Sequence, residues 1–348
     1  MRGGSPCRPL REVSVGSIDG WSARQPEPVP RWRTLLGRSR GRGDDQSTVL
    51  ETPSASYPIV GTGSAPHQAP IQPMGDAGSD PEKHPALPML RRNLGRPRVI
   101  AFVNPKGGVH KTTATVLTAA ALGSARGKGV IAWDDNELRG TLGLRAGTAR
   151  HARTIRHLVA DIAKVEAAGA SLPEVADDYL RHSSDGSFDV LAGDEDPKLA
   201  RQLDPETVLR VLDILTRTHD ITCIDTGNNV ESPNWRTIVS SADQLVVTSV
   251  PREDAAFTAD WMLDLLEADG YNELVQNAVT LLSCPTPRPG PLLNDLVRHF
   301  ETRTRGVAVV PYDPTLEPGS AIKYSELRAS TRYAWLSAAA KIIERFTT

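Results

Sequence analysis

The apolar run Val99-Ile-Ala-Phe-Val103 leads directly into the turn Asn104-Pro-Lys-Gly-Gly-Val-His-Lys-Thr-Thr113, and an Ala/Leu/Thr-rich stretch from Thr112 to about Ala125 follows. This succession constrains the fold more than any other feature of the chain. A short run that is apolar at every position and rich in β-branched residues is expected of a strand buried on both faces, as in a parallel sheet. A parallel neighbour requires a crossover, and the helical stretch supplies one. The alternation recurs: residues 129–133, 188–192, 220–224, 244–250, 278–282 and 306–310 read as strands. Residues 154–168, 205–216, 254–268 and 326–346 read as helices, with Pro205 in a first turn, where proline is tolerated. The expectation is an α/β fold, a doubly wound, mostly parallel sheet of about seven strands with helices on both faces. Ligands of such sheets bind beyond the carboxyl ends of the strands. Residues 106–113, Asp134, Asp225, Pro251 and Pro311 fall there.

The first part of the chain is different. Residues 1–96 hold 13 of the 27 prolines and almost no long apolar run. Such a composition buries too little apolar surface to offset the entropy of ordering, so a disordered Pro/Arg-rich extension is expected over 1–96 and a folded domain over 97–348. The net charge of −2 hides a split: 13 Lys/Arg and 9 Asp/Glu before residue 97 give +4, and 27 and 33 after it give −6. The most basic stretch runs from Arg31 to Arg42. It is expected either to be a solvated tail or to touch DNA, an acidic surface or a partner. No stretch approaches the ~18 apolar residues of a membrane helix, and no secretory leader is visible. Stable membrane insertion is therefore not expected. Cys7, Cys223 and Cys284 are too few and scattered for a disulfide framework, a zinc site or an iron–sulfur cluster, so a cytoplasmic protein is expected.

The turn after the first strand has the context that a phosphate needs. Successive backbone N–H groups converge on the anion, and the helix N-terminus adds a favourable dipole. Lys111 would place its charge on the β/γ-phosphates, the Thr112 hydroxyl would ligate Mg²⁺, and Gly107 and Gly108 would let the backbone approach closely. The strict G-x-x-x-x-G-K-[ST] pattern is not met, because Pro105 and His110 stand at its glycine positions. Lys-Gly-Gly-x-x-Lys-Thr-Thr instead resembles the deviant Walker A loop of the ParA/MinD family of P-loop ATPases. That resemblance implies that Lys106, Gly107, Gly108, Val109, His110, Lys111, Thr112 and Thr113 surround ATP. It also implies that Lys106 crosses an ATP-sandwich homodimer to the partner's nucleotide. His110 is expected to tilt outward and leave the cradle intact; the alternative is a protonated imidazole adding charge toward phosphate.

Asp225, which ends an apolar run and precedes Thr226-Gly227, looks like the family's Walker B aspartate, a Mg²⁺ residue. Asp134 resembles the first carboxylate of the family's D-x-D motif. The second, which positions the attacking water, maps to Asn136. Asparagine orients water without accepting its proton, so slow or partner-stimulated hydrolysis is expected. Residues 309–320 resemble the family's late proline turn beside the adenine, which makes Pro311, Tyr312 and Asp313 candidates, and Ser283-Cys284-Pro285 stand where the family often places an asparagine. The Pro-rich extension resembles an EspI-like branch of actinobacterial members near type VII secretion.

The expected function is an ATP- and Mg²⁺-dependent dimerising switch with a protein activator or cargo adaptor, in partitioning or intracellular positioning. The alternative is a weakly hydrolysing, ATP-bound scaffold serving a secretion or positioning apparatus. Nonspecific DNA enters as a partner through Arg298, Arg303, Arg305, Lys323, Arg328 and Arg332, although interleaved acids favour a mixed solvated surface. Trp335, Ala339, Ile342, Ile343 and Phe346 recur at helical spacing and are expected to pack in the core rather than bind membrane.

Overall fold

The first β-strand, β1 (Arg98–Val103), lies in the interior of the sheet and is buried from Val99 onward. In the computed structural model, which describes residues 80–136, 140–147, 153–194 and 203–347, its side chains alternate between two cores. Val99, Ala101 and Val103 enter one, while Ile100 and Phe102 enter the other. This is why the run is apolar at every position.

Seven further strands complete the sheet: β2 (Val130–Asp135), β3 (Arg181–His182), β4 (Asp189–Leu191), β5 (Ile221–Thr226), β6 (Gln244–Ser249), β7 (Val279–Ser283) and β8 (Gly306–Val310). Their order is β3-β4-β2-β5-β1-β6-β7-β8, and every pairing is parallel except β3 with β4. The doubly wound, mostly parallel architecture matches the expectation, with eight strands among the described residues rather than about seven. The extra one is β3, a two-residue antiparallel edge too short to leave an apolar run in the sequence.

One layer of helices packs on the Ile100/Phe102 face: α1 (Leu87–Leu90), α2 (Lys111–Arg126) and later α8 (Ala329–Ile343). The opposite face carries α4 (Pro205–Thr218), α5 (Pro233–Ser241), α6 (Glu253–Ala268) and α7 (Leu292–Glu301). A short helix, α3 (Leu142–Arg145), follows β2. The expected helix over residues 154–168 is broken at Asp161 into Ile155–Ala160 and Ile162–Glu166, and the Asp161 carboxylate accepts a 2.7 Å hydrogen bond from the Tyr179 hydroxyl. Helix α8 is packed as expected: Trp335, Ala339, Ile342 and Ile343 are buried. Among the described residues no helix is long and apolar enough to cross a membrane.

Packing on the domain begins ahead of the boundary expected at residue 97. Residues 1–79 lie outside the described residues, but 80–96 pack on the domain. Leu90 and Leu94 are buried, His84 Nε2 lies 2.8 Å from Ser337 Oγ, and Arg126 donates to the Leu90 and Arg92 carbonyls. The physical reason is local. Residues 86–90 and Leu94 carry enough apolar surface to bury, and a proline-rich average over 96 residues masks it.

The chain completes β2 to β5 on one side of β1 and β6 to β8 on the other. Loops leaving neighbouring strands therefore diverge at the carboxyl edge, where a crevice forms.

Candidate phosphate-binding site

The turn between β1 and α2 is fastened from below. Asn104 is fully buried, its Nδ2 donates to the Thr248 carbonyl at 2.8 Å, and its Oδ1 accepts from the Lys106 N–H at 2.9 Å. Val109 packs with Val250 and Ala255, so it secures the loop by its side chain and offers a ligand only backbone. Gly108 has φ +74 with open space around it, as a close backbone approach requires.

Lys111 Nζ donates to the Asn104 carbonyl at 2.9 Å and to Asn228 Oδ1. Burial holds its ammonium below the usual lysine range, and the Asp225 charge opposes that shift. Thr112 Oγ1 donates to Asp225 Oδ2 at 2.6 Å. The other carboxylate oxygen, Asp225 Oδ1, is buried with no hydrogen-bond partner among the described residues. A hydroxyl beside an uncompensated carboxylate oxygen is a donor set for a hard divalent cation, so Thr112 and Asp225 fit Mg²⁺. When bound, the ion would neutralise phosphate charge.

Asp134 and Asp225 are Cα partners across β2 and β5. Burial pushes both acids up: Asp134 to about 7, with the Asp225 charge adding to the rise, and Asp225 to about 6, with the Thr112 hydroxyl and Lys111 opposing. Asp134 accepts from the Asn136 N–H at 3.2 Å and the Leu142 N–H at 3.0 Å. Two glycines enclose it. A Cβ at Gly140 would lie 2.3 Å from Asp134 Oδ2, and one at Gly193 would lie 3.1 Å from Asp134 Cγ. The site thus brings together Lys111, Thr112, Asp134 and Asp225, with Asn136 beside Asp134. Asn228 and the two enclosing glycines were not among the sequence expectations.

Lys106 stands apart from this group. Its Nζ lies 3.3 Å from Asp254 Oδ2 at the start of α6. Asp254 is also held by Arg252 at 2.6 Å.

His110 is the only non-glycine residue with positive φ among the described residues, at +65. Its ring tilts out of the cradle, with Nδ1 2.9 Å from Ser283 Oγ. Burial, helped by the Arg145 charge, holds its pKa below the usual histidine value.

Beyond His110 a cleft of about 510 Å³ opens, lined by Thr113, Leu144, Arg145, Ser283 and Tyr312 among others. Pro311 and Asp313 line it too. The Asp313 side chain is held within its own turn. Its carboxylate accepts from the Thr315 N–H and hydroxyl at 3.1 and 2.8 Å, and from the Arg328 N–H at 3.0 Å. Burial would raise this acid, but those bonds outweigh it and hold it below the usual range. Asp313 therefore shapes the turn, leaving Pro311 and Tyr312 as the half-exposed surface of that segment.

Four of the six residues expected on a basic face are ion-paired. Arg298 pairs with Asp295, Arg303 with Asp260 and Asp264, Arg305 with Glu344, and Lys323 with Glu326.

Known proteins resemble this chain in sequence and fold. An AAA-domain family model matches residues 97–266. The ESX-1 secretion-associated protein EspI of Mycobacterium tuberculosis is 28% identical over 264 residues, covering 74% of this chain. The chain spans 38% of the length of those EspI relatives. Among solved structures, the ParA family ATPase of Chlorobium tepidum superposes with a TM-score of 0.54 at 16% identity, over 72% of this chain and 96% of that one. The cell-division ATPase MinD of Pyrococcus furiosus gives 0.53 at 22%, over 70% and 97%. MinD of Pyrococcus horikoshii complexed with Mg-ADP gives 0.50 at 20%, over 71% and 95%. At 16–22% identity these three solved structures show that the fold is shared with ParA and MinD ATPases.

Proposed function

We propose that the protein binds ATP with Mg²⁺ and hydrolyses it slowly, acting as a nucleotide-dependent dimerising switch. One observation carries the reading: the Thr112 hydroxyl sits 2.6 Å from Asp225 Oδ2, Asp225 Oδ1 lacks a partner among the described residues, and Lys111 lies at the same helix N-terminus. An anion cradle and a divalent-cation pair on adjacent strand ends suit a metal-bound polyphosphate better than any single anion. The Mg-ADP complex of the P. horikoshii relative supports the choice of ligand.

In this reading two protomers close over their nucleotides and Lys106 exchanges Asp254 for the partner's phosphates. The folded domain occupies the chain from about residue 80, with the Pro/Arg-rich extension before it. The setting is cytoplasmic. A protein activator or cargo adaptor sets the turnover, and positioning or partitioning is its use. Nonspecific DNA is the less favoured partner, because much of the basic face is internally paired.

A second reading has a specific observation behind it. Asn136 replaces the water-activating carboxylate that the family resemblance implies, which favours a weakly hydrolysing, ATP-bound scaffold of a secretion apparatus, the setting named for the EspI relatives.

Calorimetry with MgATP and MgADP tests the shared claim, and absence of heat or of a melting shift at millimolar nucleotide would reject both readings. Size-exclusion with MgATP, alongside turnover with and without DNA or candidate partners, separates them. Nucleotide-driven dimers with stimulated turnover support the switch, and binding without turnover supports the scaffold.

A further inference from the structure

Arg145, at the end of α3, belongs to no motif of the phosphate site, yet its guanidinium lines the cleft beside the loop. Its Nη2 donates to Thr113 Oγ1 at 3.0 Å and its Nη1 to the Ser320 carbonyl at 3.1 Å. Both partners are neutral. Among the described residues no carboxylate pairs with it, and burial alone acts on the guanidinium, pulling it below the usual arginine range. Two other half-buried arginines differ: Arg210 is forked onto Glu166, and Arg303 meets Asp260, Asp264 and Glu267. A partly desolvated cation without a counter-charge is costly unless an anion arrives to balance it.

The position of Arg145 indicates which anion. Lys111 and Thr112 point toward Asn228 and Asp225 on one side of the loop. Thr113 and His110 border the cleft on the other. A polyphosphate lying along the loop, with its metal-bound end at Thr112 and Asp225, has its proximal end at Thr113. The His110 ring is turned to Ser283, whereas the guanidinium brings charge there, in a planar fork suited to phosphate oxygens.

We infer that Arg145 is a binding residue for the α-phosphate of the nucleotide, reaching over the loop from α3 beside Thr113. This rests on the nucleotide reading above. It deepens that reading by separating roles: Lys111, Thr112 and Asp225 meet the distal phosphates, and Arg145 meets the part common to ADP and ATP. The site then selects nucleotides over nucleosides through this side chain.

The test is titration of the full chain with MgATP, MgADP and adenosine, using wild type, Arg145→Gln and Arg145→Lys. Glutamine is a shorter neutral amide, so it removes the charge while keeping a hydrogen-bonding group on the same stem. The expected result is a similar loss for ADP and ATP in Arg145→Gln, roughly ten- to a hundred-fold. Adenosine affinity should be unchanged, and Arg145→Lys should recover part of the loss. Unaltered ADP affinity in Arg145→Gln would overturn the assignment while leaving nucleotide binding intact. So would an equal loss for adenosine, or equal losses in the Gln and Lys variants, since either marks a packing role. A wild type that binds neither nucleotide removes the nucleotide reading and this assignment together.

Discussion

Asp134 and Asp225 sit opposite each other on adjacent parallel strands, both buried, and Asp134 also accepts the Leu142 N–H that begins α3. Two carboxylates so close in low dielectric cannot both be ionised cheaply, so the unliganded protein carries a stored electrostatic cost. A divalent cation at Thr112 and Asp225 would relieve it, and the protonation state of Asp134 bears on the helix that presents Arg145.

The first prediction follows from linkage. In the unfolded chain both acids lose their protons near the ordinary aspartate value of 3.8, whereas in the folded chain they hold them to about 7 and about 6. Between those limits the folded state binds more protons, so this contribution to stability falls as pH rises from about 4 to about 7 and then levels off. Asp134→Asn removes much of it. Relative to wild type, the unliganded variant should gain on the order of 2 kcal/mol between pH 5 and pH 8. Urea titrations at the two pH values measure this, and a difference that stays flat or reverses would rule out the buried-pair account. Saturating Mg²⁺–nucleotide should shrink the same pH dependence in wild type.

His110 allows a cleaner comparison. Its φ of +65 is a conformation that costs an L-residue about 1 kcal/mol and glycine almost nothing. His110→Ala and His110→Gly both lose the contact with Ser283, but only alanine keeps the strain. The glycine variant should therefore be more stable than the alanine variant by ~1 kcal/mol in chemical denaturation. Equal stabilities would mean that the loop relaxes when the imidazole is removed.

Much of this site was legible because its residues are contiguous or end apolar runs. The loop from Lys106 to Thr113 is spelled out in one stretch, and Asp134 and Asp225 close their strands. Asn228 and Arg145 were not legible, because they act on Lys111 and Thr113 across 117 and 32 residues and no short motif records such pairings. Gly140 and Gly193 are ordinary loop glycines until the fold brings them against Asp134. Helix α7 was overlooked although Leu293, Leu296, Val297 and Phe300 give it helical spacing, a signal that was present. Strand β3 left none, since two residues have no periodicity. Residues 80–96 were lost in an average, because four or five apolar side chains docking on α2 and α8 do not move the composition of a long proline-rich segment.

The ion pair of Lys106 with Asp254 yields a third prediction. Both side chains are largely exposed, 42% and 43%, so the pair contributes under ~1 kcal/mol to stability. It nevertheless occupies the lysine that the proposed dimer needs. Asp254→Ala should leave the melting point almost unchanged and lower the MgATP concentration at which wild-type dimers form. Lys106→Ala should abolish those dimers while still binding nucleotide. Dimers that persist in Lys106→Ala, with ATP demonstrably bound, would exclude an intermolecular role for this residue.

The last prediction concerns turnover. The Asn136 N–H donates to Asp134 Oδ1, which places residue 136 next to the buried carboxylate pair. An amide there can orient a water but cannot take its proton, and positioned general bases typically contribute 10²- to 10⁴-fold. Asn136→Asp should therefore raise ATP turnover at least ~10-fold without tightening MgATP binding. The new acid stands beside two others and is itself pushed up by them, so the gain should appear above about pH 7.5 and fade below it. A single-turnover pH series measures both effects. If turnover in the variant equals that of wild type at pH 8.5 while binding is intact, the missing carboxylate is not what limits hydrolysis, and the slow step lies in dimer closure or in an absent partner.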